Sequence, residues 1–141
     1  MAARADCDRR GRDPEIGGAY ALVGELIEAH EGFSRAVTEY LVGAIGPPAG
    51  GAGTLRAILS RDRRRYGLLR AYSKRRGARI DHESLDRMRE ARRLLAHSID
   101  RVEARGVRTR EGDPPYISRS ELRRHIKSAR QATRDLGGRD P

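Results

Sequence analysis

Apolar residues spaced three or four positions apart constrain the fold of this chain more than any other feature of its sequence. The clearest series follows Asp81 and has spacings of 3, 4, 3, 4 and 3, with one arginine among its members: Leu85, Met88, Arg92, Leu95, Ile99 and Val102. Residues at this spacing share one face of an α-helix. Three other segments carry similar stripes, so the sequence predicts four amphipathic helices.

Residues that favour helix ends bound each predicted helix. The first stripe begins at Leu22 and stops at Gly46-Pro47-Pro48, and the second follows Thr54, a candidate N-cap, and closes at Gly77. The third runs from the candidate N-cap Asp81 to Gly106. The fourth starts at Ser118-Arg119-Ser120-Glu121, which has the form of a capping box, and ends before Gly137-Gly138.

These elements predict an all-α fold, most simply an antiparallel four-helix bundle. We expect one domain over residues 18–138, preceded by a flexible, disordered polar arm over residues 1–17, although Asp13-Pro14-Glu15 could begin a helix. The low hydrophobic content of 37% still suffices for a core made of helix stripes. A polar loop containing Asp113-Pro114-Pro115 is expected before the last helix.

Charge is the second strong feature. The chain has 30 Lys and Arg against 20 Asp and Glu, a net charge of +10, and only Lys74 and Lys127 are lysines. Arginine suits phosphate contacts, so a polyanion such as RNA is the expected partner. The alternative is that this arginine is only solvated surface. The single Cys7 fits a reducing cytoplasm and, with the absence of H-x3-H spacing, predicts no metal site or cofactor. The lack of a long apolar run predicts a soluble protein without a membrane partner.

The basic residues concentrate in the second helix. Residues 54–80 hold ten basic residues and one acidic residue, a net charge of +9, and the fourth helix adds more. Phosphate contacts from such helices bind nucleic acid with little sequence preference. The predicted nucleic-acid-binding residues are Arg56, Arg63, Arg64, Arg70, Lys74, Arg75, Arg76, Arg123, Arg124 and Lys127. Tyr66 and Tyr72 could stack on bases, but their spacing with Leu69 favours the core.

A short motif in the third helix reads Arg92-Arg93-Leu94-Leu95-Ala96-His97-Ser98. It resembles the motif of the HEPN superfamily (higher eukaryotes and prokaryotes nucleotide-binding), small helical proteins that often carry R-N-x-L-A-H. The resemblance implies a metal-independent endoribonuclease of a toxin or phage-defence system, completed in a homodimer or higher oligomer. His97 would exchange protons with the ribose hydroxyl or leaving oxygen, and Arg92 or Arg93 would hold the scissile phosphate.

Helix geometry leaves open which arginine is the partner of His97. In a regular helix, Arg92 and His97 point about 140° apart, whereas Arg93 and His97 share a face. Arg92 also occupies the apolar stripe, where an unpaired buried arginine is costly. Glu28 or Glu31 of the first helix, or a second chain, could supply its partner.

Other functions are compatible with the same residues. A non-enzymatic accessory protein could bind nucleic acid through the second helix and a protein partner through another face, as in ribonucleoproteins, small CRISPR subunits or reverse-transcriptase accessory proteins. A purely structural bundle with a solvated basic surface is a third alternative. The Ala96-His97-Ser98 string also resembles histidine phosphotransfer domains, but Asp100 and Arg101 replace the Lys and Gly expected there.

Overall fold

A computed structural model describes residues 14–76 and 79–137. Within them the chain forms five helices and one antiparallel sheet of three strands. The helices are α1 (Pro14–Ile45), α2 (Ala52–Leu59), α3 (Asp62–Arg76), α4 (His82–His97) and α5 (Arg119–Asp135), and the strands are β1 (Ile99–Glu103), β2 (Gly106–Thr109) and β3 (Tyr116–Ser118). The fold is therefore mostly helical, as predicted.

Helix α1 forms the centre of the molecule and contacts the other four helices and β1. It begins at Pro14, so the alternative start at Asp13-Pro14-Glu15 is the better prediction and residues 14–17 belong to the helix. Residues 1–13 of the predicted arm lie outside the described residues. The buried stripe of α1 includes Leu26, Phe33, Val37 and Leu41, each with no exposed surface.

The predicted second helix is two helices, and Thr54 is not its N-cap. Helix α2 is capped by Gly51 and ends at Leu59, where the Ser60 hydroxyl donates to the Ala57 carbonyl at 2.6 Å. Helix α3 then begins at Asp62. The break allows Leu59 to be fully buried, while the stripe residue Ile58 remains 42% exposed. The predicted C-terminal glycine of this helix, Gly77, lies outside the described residues.

The predicted third helix ends early, at His97, and the rest of its stripe forms a β-hairpin. Ile99 and Val102 lie on β1, which pairs with β2 in the register Val102 to Val107, and β2 pairs with β3 in the register Val107 to Ile117. The side chains of Val102, Val107 and Ile117 form one row across the sheet. Strand β1 contacts α1, and β2 contacts α5. A β-branched run fits a strand as well as a helix stripe, and here the pairing strands decide its conformation.

Gly106 permits the close pairing of β2 and β3. A Cβ atom at this position would lie 2.2 Å from the Ile117 carbonyl oxygen and 2.8 Å from the Tyr116 hydroxyl. No residue other than glycine fits without movement of the hairpin. Gly106, which was expected to end a helix, is thus required by the sheet. The polar loop expected before the last helix contains two strands.

The predicted caps of the last two helices are confirmed. Asp81 accepts a hydrogen bond from the Ser84 amide at 3.1 Å, and Ser118 accepts one from the Glu121 amide at 3.1 Å. The fold nevertheless differs from a pure four-helix bundle, because the second predicted helix is divided into α2 and α3 and the end of the third forms part of a three-stranded sheet. Over the described residues, no helix combines the length and the apolar character that crossing a membrane requires.

Candidate nucleic-acid interface

The exposed face of α3 carries four cations without carboxylate partners. Arg63, Arg64, Lys74 and Arg75 are all exposed and form no ion pair among the described residues. Residues 63 and 74 differ by eleven positions, which is close to three helical turns, so the pairs 63/64 and 74/75 lie on the same face about 16 Å apart along the axis. The opposite face packs into the core through Tyr66, as predicted for this residue, and Leu69.

Small residues occupy the middle of this exposed face. Gly67 and Ala71 are exposed and lie between the two cation pairs. Because neither side chain projects, an extended strand could approach the helix between the pairs without a steric barrier. Arg70 lies there too, but it forms an ion pair with Asp86 of α4. Its charge is therefore partly neutralised.

Arg56 differs from the other predicted nucleic-acid-binding residues. Its Nε and one terminal nitrogen donate to the two carboxylate oxygens of Glu39 on α1, at 2.9 and 3.0 Å. This bidentate contact is the principal reason that the pKa of Glu39 is lowered. Arg56 thus joins α2 to α1, and its charge is already matched. The side chain of Arg76 lies outside the part of the chain that the structure describes.

The cations predicted on the last helix line the grooves that flank α5. Arg123 and Lys127 line a groove against α1, together with Glu25, Arg130 and Arg134. Arg124 and Lys127 together line a groove against α4, and Arg124 also lines the groove formed by α4 and the segment between β2 and β3. Arg123, Arg124 and Lys127 are exposed and form no ion pair within the described residues. The basic surface of α5 therefore extends over the grooves on both sides of the helix, and one of its cations, Arg130, lies 4.0 Å from Glu25.

The histidine of the HEPN-like motif lies at the end of a helix. His97 is the last residue of α4, is exposed, and forms no hydrogen bond or ion pair within residues 14–76 and 79–137. Arg93, one turn earlier, is matched by two carboxylates. It contacts Glu90 at 2.7 Å and Glu111 at 3.2 Å, and the hydrogen bonds from Arg93 lower the pKa of Glu90. Because these carboxylates offset its charge, Arg93 attracts a phosphate less strongly than an unpaired arginine does.

Arg92 lies on the inner side of α4. It is half-buried and its charge acts on His30 of α1, a histidine whose pKa is lowered chiefly by burial. Its Nε is buried without a hydrogen-bond acceptor, and neither Glu28 nor Glu31 forms an ion pair with it. Within one chain, the three predicted catalytic residues thus have different surroundings: His97 faces solvent, Arg93 faces Glu90 and Glu111, and Arg92 faces α1.

Comparisons with family models, curated proteins and solved structures gave no match to this chain. In the described residues, no three His, Cys, Asp or Glu side chains are arranged to hold a metal ion.

The outer face of the sheet is a polar surface that the sequence reasoning missed. Arg101, Arg108 and Tyr116 form a cross-strand row on this face, and Glu103 bridges Arg101 at 2.8 Å and Arg108 at 2.6 Å. These hydrogen bonds lower the pKa of Glu103, that from Arg108 most strongly. The alternation of Val107 and Arg108 could have indicated a strand, but the strands are too short for a clear pattern.

Proposed function

We propose that this chain is a nucleic-acid-binding protein that holds single-stranded RNA along the exposed face of α3. One observation carries the proposal: two unpaired cation pairs, Arg63/Arg64 and Lys74/Arg75, lie on one face with only small residues between them. Such a surface contacts phosphates through charge and leaves the bases unread, so binding is tolerant of sequence and sensitive to salt.

The surroundings of the predicted catalytic arginines favour an accessory role over catalysis. A ribonuclease active centre needs a phosphate-binding group beside the group that moves the proton. In one chain, Arg93 is matched by Glu90 and Glu111, and Arg92 lies on the side of α4 that faces α1. We therefore propose a non-enzymatic RNA-binding component as the primary function.

The endoribonuclease suggested by the HEPN resemblance is the second candidate. What favours it is His97, whose side chain is exposed at the end of α4 and forms no hydrogen bond or ion pair within the described residues, so a second copy could bring an arginine to it. In that case the homodimer, and not the single chain, would form the catalytic centre.

One experiment separates the two candidates. The purified protein and its His97→Ala variant are incubated in EDTA with fluorescent single-stranded RNAs of mixed sequence, and both anisotropy and product lengths are recorded. We expect equal affinity for the two proteins and intact RNA. Cleavage that leaves 2′,3′-cyclic phosphate ends and disappears in His97→Ala would establish the ribonuclease instead. Absence of binding at physiological salt would contradict both and favour a structural protein.

A further inference from the structure

A polar cluster lies between α1, α3 and α4, on the side of α3 opposite to the proposed RNA surface. Its cationic members, here named the arginine cluster, are Arg65, Arg89 and Arg92. Asp62 accepts from Arg65 at 2.6 Å and from Arg89 at 3.3 Å. The Arg89 guanidinium also lies on the ring of Tyr66, 3.6 Å from its centroid. These contacts hold two of the three guanidinium groups side by side.

Positive charge exceeds negative charge in this region. Arg89 is 3.7 Å from Asp86, which also pairs with Arg70, so Arg65, Arg70 and Arg89 share the two carboxylates of Asp62 and Asp86. Together with Arg92, these groups carry a net charge of +2. His30 faces the same groups from α1 and adds little charge at neutral pH, because burial and the arginines lower its pKa. Arg92 forms no ion pair with any described residue.

Hydrogen-bond donors are also in excess. The buried Nε atoms of Arg65, Arg89 and Arg92 have no acceptor, and the hydroxyls of Tyr66 and Ser34 face each other without forming a hydrogen bond of normal geometry. Five of the seven buried side-chain polar atoms without partners in the described residues thus belong to this one cluster. Buried polar groups are rarely left without partners, so their clustering favours an anion beside these guanidinium groups.

The cluster is accessible from solvent. The side chain of Arg89 is 26% exposed and that of Arg65 is 12% exposed, while Arg92 is half-buried. An oxyanion accepts charge-assisted hydrogen bonds from the terminal N–H groups of arginine. A tetrahedral dianion with several acceptor oxygens would therefore match the excess charge of these guanidinium groups.

We propose that the guanidinium groups of the arginine cluster bind a phosphate monoester dianion. The phosphate is either the terminal phosphate of a nucleic-acid strand or that of a free mononucleotide, and both share the chemistry that the cluster recognises. The site does not depend on the RNA surface of α3, because its donors face the interior side of that helix. Arg92 thus acts as an anion-binding residue rather than as the partner of His97.

Inorganic phosphate is the first probe, compared with chloride at matched ionic strength. Binding is followed by calorimetry and by the ¹H–¹⁵N resonances of the arginine Nε groups, which require no substitution. We expect saturable binding that shifts a small set of Nε resonances and raises the melting temperature. No saturable binding to the wild-type protein would overturn the proposal.

Arg92→Gln should weaken phosphate binding about tenfold or more, because a charge-assisted contact is lost. Arg93→Gln is the matched control: it is the adjacent residue, changes the charge equally and removes a side chain that pairs with Glu90 and Glu111. Arg92→Lys keeps the charge, remains informative if Arg92→Gln does not fold, and should also bind more weakly. Equal phosphate affinity in Arg93→Gln and in the folded Arg92 variants would contradict the assignment.

Two further comparisons identify the source of the phosphate. A 5′-phosphorylated oligonucleotide that binds more tightly than its 5′-hydroxyl form indicates a strand terminus, and AMP that binds more tightly than that oligonucleotide indicates a free nucleotide. Saturable binding of acetate with equal affinity would point to a carboxylate partner and refute the phosphate assignment. If RNA does not bind to α3, the phosphate-binding results still stand, because inorganic phosphate is not a nucleic acid.

Discussion

Replacing Arg63 and Arg64 together by glutamine should lower both the affinity for single-stranded RNA and its dependence on salt. Both residues are exposed at the start of α3 and form no ion pair among the described residues. In solution their charges therefore attract small anions, and on an RNA strand they displace cations from the phosphates. The double substitution removes two such contacts without touching the core face of α3.

The structure sets the size of the effect. The proposed RNA surface of α3 carries four exposed cations that form no ion pair in the described part of the chain: Arg63, Arg64, Lys74 and Arg75. If each contacts one phosphate, the logarithm of the association constant should fall with the logarithm of salt concentration with a slope of about −3. Loss of two contacts should reduce this slope by about 1.4. From about 50 to 200 mM salt, the affinity ratio of wild type to variant should therefore shrink roughly sevenfold.

Anisotropy titrations of one labelled oligoribonucleotide at four salt concentrations measure this slope. The control is Arg87→Gln/Arg93→Gln, which makes the same change in net charge on α4, where Arg87 pairs with Glu83 and Arg93 with Glu90. Its slope should remain close to that of the wild type. The same loss of slope in both double variants would refute the α3 surface, because net charge alone would then account for binding.

Two predictions concern stability. Burial lowers the pKa of His30 and of His125 from 6.5, so the unfolded chain binds protons more readily than the folded chain. These groups should leave the free energy of unfolding in urea unchanged above pH 6.5 and lower it as the pH falls below 6.5. The decrease should be smaller in His30→Gln/His125→Gln. Gly106→Ala should destabilise the protein by about 3 kcal/mol, because its Cβ would meet the Ile117 carbonyl. Gly24→Ala on α1, where nothing lies within 4 Å, should instead stabilise it by about 0.5–1 kcal/mol, and equal effects of the two changes would contradict the hairpin.

Several features of the fold could be predicted from residues that are close together in the sequence. The caps at Asp81 and Ser118 depend on side chains that reach amides three residues away, so their identity is visible in a short stretch of sequence. The burial of Tyr66 and the cation-rich face of α3 depend on helical periodicity alone. The sequence by itself thus determined a mostly helical, basic molecule and the positions of its principal charges.

Tertiary contacts decided the rest. Ile99 and Val102 continue the helical spacing of α4, yet they lie on a strand because β2 pairs with β1 and β3 pairs with β2. The spacing of apolar residues along a sequence does not show which distant segments will pair. In the same way, the sequence shows that Arg56, Arg92 and Arg93 are cationic but not what they face. Tertiary packing places Glu39 beside Arg56 and Glu111 beside Arg93, whose other partner, Glu90, lies one turn earlier in the same helix. Among the described residues, it places no carboxylate in an ion pair with Arg92. The free energy of an ion depends on its neighbours in space, and the order of residues along the chain does not specify them.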